Sequence, residues 1–263
     1  MTAVDKSQSY PDVMFQINSG YINHWRRELE SCNCNRSQEN TAIALTEALT
    51  RLLQLRDNIL HARGVFAPVS SFYPNVHLTM EQKQRLYDAT SEFFGHYYVT
   101  MDKLANLMKR FSDVFPNMPT NSVSKFLKYL RKYALFPDTA LPILESGRQY
   151  RTFLDHTTSF PSFQWHTMSF VPYQARVVLL GELSGSGAIA KGSTAIEDAD
   201  SQLSDLLPQL EEDLGYRPAW YFVAPDEEHV CWALCVQLNA IIGRISGHQI
   251  DRLGFGRKPL ESR

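Results

Sequence analysis

The feature that most limits how this chain can fold is a leucine stripe between residues 41 and 63. Leu45, Leu49, Leu52, Leu53 and Leu60 follow the three-and-four spacing of one face of an α-helix. Asn40 or Thr41 offers an N-cap oxygen ahead of the stripe, and Gly64 stands where a left-handed C′ glycine ends a helix. A long helix with a single apolar stripe must bury it against partners, so the expected fold is mainly α, built on an antiparallel helical bundle.

The tail of this helix, LRDNILHARG from Leu55 to Gly64, also gathers the chain's densest chemistry: Arg56, Asp57, Asn58, His61 and Arg63 within two turns. A guanidinium binds phosphate and an imidazole moves a proton. At about 100° per residue, Asp57 and His61 stand one turn apart on the same side, whereas Arg56 and His61 diverge by about 140°. One helix therefore cannot aim both at one phosphorus atom, and a second copy of the helix would complete the set. The alternative is structural: Arg56 and Asp57 pair with neighbouring helices while His61 and Arg63 offset the dipole of the helix C-terminus.

The run Arg56-Asp57-Asn58-Ile59-Leu60-His61 resembles the motif of the HEPN family, helical nucleotide-binding and ribonuclease domains of toxin–antitoxin, abortive-infection and CRISPR systems. The resemblance covers residues 40–110. It implies a metal-independent ribonuclease without cofactor, acting on RNA from a composite site in a homodimer. Arg56, Asp57 and His61 would be its catalytic residues, with Asn58 and Arg63 contacting substrate. The chain departs from the pattern in placing Ala62-Arg63 after the histidine, where many members have a small residue and an aromatic.

Composition sets the wider frame. A hydrophobic fraction of 44% and a charged fraction of 21% are those of an ordinary globular protein, and 263 residues hold one large or two modest domains. A net charge of −2 excludes a broad nucleic-acid coating surface but leaves room for a local basic one. That local face is the segment from Ser122 to Leu135, where Lys125, Lys128, Arg131 and Lys132 form the strongest basic helix face, read as a substrate-binding surface or as a solvated side. The polar N-terminus and the lack of a long apolar run point to a cytoplasmic protein with no membrane partner.

Other helices are expected over Val13–Glu30, over Met80–Phe111 behind a Thr79/Gln82 capping box, over the acidic stretch Ala195–Leu214, and from Pro225-Asp226-Glu227-Glu228 through Ile242. The second of these reads as one long helix or as two joined near Gly95. Prolines 137 and 142 suggest a boundary between a bundle over 1–136 and a mixed, mostly helical region over 137–263. Ala175–Leu180 reads equally as a strand or as the body of a helix, and Ala219–Ala224 as a short strand. The glycine-rich run 181–194 fails the phosphate-loop test, since Lys191 precedes Gly192, and reads as a mobile loop. The apolar loop 65–73 is expected to cover a core edge or a pocket, and the tail after Ile245 to be frayed or docked.

Cys231 and Cys235 sit in the apolar run HVCWALCVQL and read as buried thiols; with Cys32 and Cys34 they match a zinc knuckle poorly. His24, His156, His166, His229 and His248 lack H-E-x-x-H spacing, but Asp155-His156 and His166 could gather with a distant ligand, which gives a helical haem or metal oxygenase as the third functional reading. The second, from another class, is a non-catalytic helical interaction or regulatory module.

Overall fold

The computed structural model describes residues 19–32, 34–64, 79–119, 122–132, 139–156, 163–170, 174–181, 192–199 and 201–252. Its helices are α1 (Ser19–Glu30), α2 (Arg36–Gly64), α3 (Met80–Lys109), α4 (Val123–Lys132), α5 (Ala140–His156), α6 (Ser201–Leu214) and α7 (Glu227–Arg252). Its strands are β1 (Phe163–Phe170), β2 (Gln174–Gly181), β3 (Thr194–Ala195) and β4 (Trp220–Val223). The fold is mainly α with a small sheet of order β1-β2-β4-β3, every neighbouring pair antiparallel.

Asn35 starts α2. Its Oδ1 accepts from the backbone N–H groups of Ser37 and Gln38, both at 3.0 Å, and Gln38 Oε1 accepts from Asn35 N–H at 2.9 Å. This reciprocal box satisfies donors that the first turn cannot. The cap expected at Asn40 or Thr41 is thus corrected: both lie inside the helix, where Thr41 donates back to Ser37 O at 2.8 Å. Gly64 is the last helical residue rather than a left-handed stop. Among the described glycines only Gly192 and Gly215 take a positive φ.

Along α2 the buried line is Leu45, Leu49, Leu52, Leu55, Ile59 and Ala62, with Leu53 half-buried at its edge. It packs on α3, which runs antiparallel. His96 Nε2 meets Ala48 O at 2.9 Å, Arg51 meets Glu92 at 2.6 Å, and Gln38 donates to Arg110 O at 3.0 Å. α3 begins at the Thr79/Gln82 capping box and continues unbroken past Gly95. Its Phe93, Phe94 and Tyr97 are fully buried. Ring contacts carry the core from there to the sheet: the Phe94 centroid lies 4.8 Å from that of Tyr150 of α5 in a tilted pair, and Tyr150 meets Phe222 of β4 edge-on at 5.4 Å. One hydrophobic cluster therefore contains residues from both sides of position 137.

The strand alternative holds for 175–180. In β2, Val177 and Leu179 face the helical core, while Val178 and Leu180 face a second cluster with Ile196 and Leu210 of the α6 side. At the end of β2, Gly181 pairs with Trp220. A Cβ there would sit 1.9 Å from the indole Cζ2, so only glycine lets the ring lie across the strand.

α7 is the longest stretch of the C-terminal half, and it runs on to Arg252 where a frayed or docked tail was expected. Asp226 caps it, accepting from Glu228 and His229 N–H at 2.9 and 3.0 Å. Its segment Glu227–Gly247 is long and apolar enough to cross a membrane by length and composition, with mean hydropathy 1.3, against the expectation from sequence. Here Val230, Leu234, Leu238, Ile241 and Ile245 are core residues. Loop 65–73, residues 182–191 and the chain beyond 252 lie outside the described residues.

Candidate functional site

Around α2 the last two turns divide cleanly. Asp57, Asn58 and His61 are exposed, in line with Arg51 and Gln54 further back, while Ile59 and Ala62 are buried. The four-residue step puts Asp57 and His61 about 40° apart around the axis and about 6 Å along it. No hydrogen bond or ion pair joins His61 to any described residue.

Arg56 lies at the border between the two sides. Its guanidinium bends to the outer face and grips Asp57 Oδ1 through Nη2 at 2.8 Å and Nε at 3.1 Å. The arginine side chain is 18% exposed and its carboxylate partner 62%, so the pair stands at the rim of the packed surface. On the inner side Arg56 approaches Cys231 of α7. Burial pushes that thiol well above its ordinary range, and the arginine charge only partly opposes the shift.

Arg63 belongs to the inner side entirely. Its Nη1 and Nη2 meet Glu227 Oε1 and Oε2 at 2.5 and 3.0 Å, a bidentate pair in which the glutamate side chain is 3% exposed. Beside it, Arg176 of β2 reaches the α7 cap Asp226 at 2.6 Å. Two charge pairs therefore fasten the N-terminus of α7 to α2 and to the sheet. The helix start at Asp226-Glu227 is visible in sequence, but nothing local marks Glu227 as a partner for an arginine 164 residues away.

The α4 cations are elsewhere. Arg51 opposite Glu92 places His61 level with the first turn of α3, whereas Phe126 of α4 sits against Met101 and Ala105. About twenty helical residues separate those levels, or roughly 30 Å. Arg56, Asp57 and His61 thus share a rim; Lys125, Lys128, Arg131 and Lys132 do not join it.

The thiols are also dispersed. Cys32 Sγ lies 3.5 Å from Ser246 Oγ, eleven or more residues along α7 from Cys235 and Cys231, which is roughly 16 Å or more of helix. None of the four is in a disulfide, and that separation keeps their sulfurs from meeting in one four-thiolate site. Cys34 borders a groove of about 240 Å³ between α1 and α2, lined by Arg26, Leu29, Glu39 and Ile43; burial, with help from Cys32 and Glu39, pushes its thiol up to about 11. No group of three or more His, Cys, Asp or Glu is placed to hold a metal ion among the described residues. The chain matches no family model, no curated protein and no solved structure.

Proposed function

We propose that the chain is a HEPN-like, metal-independent ribonuclease that works as a cytoplasmic two-fold dimer. The observation that carries this reading is the rim of α2: an exposed imidazole one turn beyond an exposed carboxylate that holds an arginine in place. His61 takes the proton from a ribose 2′-OH. The oxygen attacks the adjacent phosphorus, the P–O5′ bond breaks, and the electron pair leaves with O5′. The imidazolium of the second copy's His61 protonates that oxygen, leaving a 2′,3′-cyclic phosphate and a 5′-hydroxyl. Arg56 binds the non-bridging oxygens and offsets their growing charge, and Asp57 orients the guanidinium. Asn58 adds a polar contact. The two proton transfers take one imidazole from each copy, which calls for an isologous dimer, with Arg56 of one copy serving His61 of the other.

Purified protein should cut mixed RNAs in EDTA and leave cyclic phosphate ends. Arg56→Ala and His61→Ala should each abolish cutting, and mixing the two should restore part of it. Uncut RNA in EDTA removes the proposal, and an active monomer removes the composite site.

A second reading has its own support. A helix end whose arginines pair with Asp57 and Glu227 is what a purely structural helix would have, so a non-catalytic interaction module also fits. In that case His61→Ala would leave any partner's binding and the fold alike unchanged, with no activity to lose.

A further inference from the structure

Helix α4 puts nine of its ten residues on one of two faces, with Ser124 half-buried between them. Val123, Phe126, Leu127, Tyr129 and Leu130 are buried in the shared core, and Tyr129 OH donates to Pro116 O at 3.0 Å. Lys125, Lys128, Arg131 and Lys132 are exposed, and the helix contains no acidic residue. No described residue forms an ion pair with Lys125, Lys128 or Arg131. A helix whose cations served only solubility would ordinarily interleave both signs, as α3 does with its Glu81–Arg85 pair.

We infer that the outer face of α4 is a phosphate-backbone anchor, a nucleic-acid contact separate from the rim of α2 and roughly 30 Å from it. The three cations from Lys125 to Arg131 are spread along about 9 Å of helix axis, and their long side chains can each meet one of about three successive phosphates of a single strand. The partner is a nucleic-acid strand rather than a lipid surface for two reasons. The apolar side of α4 is already spent on the core, so the helix has nothing to insert into a bilayer. The whole chain carries a net charge of −2, with exposed Glu197, Asp198, Asp205 and Glu212 around α6. A thread of phosphates needs only the local cations, whereas a broad anionic sheet draws a chain of net negative charge poorly. The anchor does not depend on cleavage at His61.

The test is binding of a labelled oligouridylate of about 20 nucleotides to the full chain across a salt series, repeated in the His61→Ala background to separate binding from cutting. Neutralising about three phosphates gives a slope of about −2 for log affinity against log salt, so wild type should lose roughly 20-fold between about 50 and 200 mM salt through this face alone. The variant Lys125→Gln/Lys128→Gln/Arg131→Gln keeps helix propensity and should flatten the slope by about 2. A charge-matched control, Arg27→Gln/Arg36→Gln/Arg217→Gln, should change it by less than half as much. Equal slopes for the two variants, no binding by wild type at low salt, or binding to mixed phosphatidylcholine–phosphatidylserine vesicles without binding to the oligonucleotide would each overturn the anchor.

Discussion

On the inner side of the last two turns of α2, Arg63 is gripped by both oxygens of a buried glutamate and Ile59 and Ala62 are packed away. On the outer side, Asp57, Asn58 and His61 face solvent, and the half-buried Arg56 leans out to join them. The two sides use the same vocabulary of charge, yet their energetics differ in kind. A charge that has left water is stabilising only while its partner is present, so the inner pair is a structural commitment. An exposed group has lost little hydration and can be exchanged at small cost to the fold, so the outer side is free to serve chemistry. Motif reading cannot make this distinction: Arg56, His61 and Arg63 look alike as letters, and topology decides which faces α7.

The comparison is tested most severely at Glu227. Glu227→Ala leaves the Arg63 guanidinium buried without its carboxylate, and the expected loss is about 3–5 kcal/mol of unfolding free energy by urea titration. Replacing both partners, Arg63→Met with Glu227→Leu, should recover most of that loss, because the penalty comes from an unpaired buried charge rather than from the missing pair. A loss under about 1 kcal/mol for the single variant would mean that water reaches the pair and that the inner side is no different from the outer.

How much of this was legible in sequence depends on how local the signal is. The leucine stripe of α2, the Thr79/Gln82 box and the amphipathic pattern of α4 are local, and each marks a real helix. The α2 start was misplaced by about a turn because Asn40 and Thr41 also look like caps, and only the Asn35–Gln38 reciprocity selects the true one. β2 could not be separated from a helix. Its four consecutive core residues Val177–Leu180 are buried on both faces, which erases the alternation that identifies a half-buried strand. The expected last helix stopped at Ile242, ten residues short of the end of α7; beyond it Ile245, between Gly243 and Gly247, still packs into the core. For the candidate site, the Asp57–His61 step was legible from helical geometry. The commitment of Arg63 to Glu227 and the distance to α4 were not, since both are products of the chain's return path.

The cap offers a smaller and sharper contrast. Asn35→Ala should cost about 1 kcal/mol, because it strands the N–H groups of Ser37 and Gln38 at the open end of α2. Asn40→Ala, at the exposed position that sequence alone favours, should be neutral or slightly stabilising, since alanine is the better helix former. Equal costs at the two positions would show that the helix frays past its first turn and begins at Asn40 in solution.

The smallest expected change in stability belongs to His61. Its ring is exposed and hydrogen-bonded to no described residue, so His61→Ala removes no packing and strands no polar group. The unfolding free energy should stay within about 0.5 kcal/mol of wild type. Urea titration of the variant beside wild type checks this, and a cost above about 1 kcal/mol would place the ring in contacts of its own. That outcome would return His61 to the structural side of the helix and leave the outer face with no group to move a proton. A variant as stable as wild type, yet without cleavage, would keep the two sides of α2 as distinct in function as they are in burial.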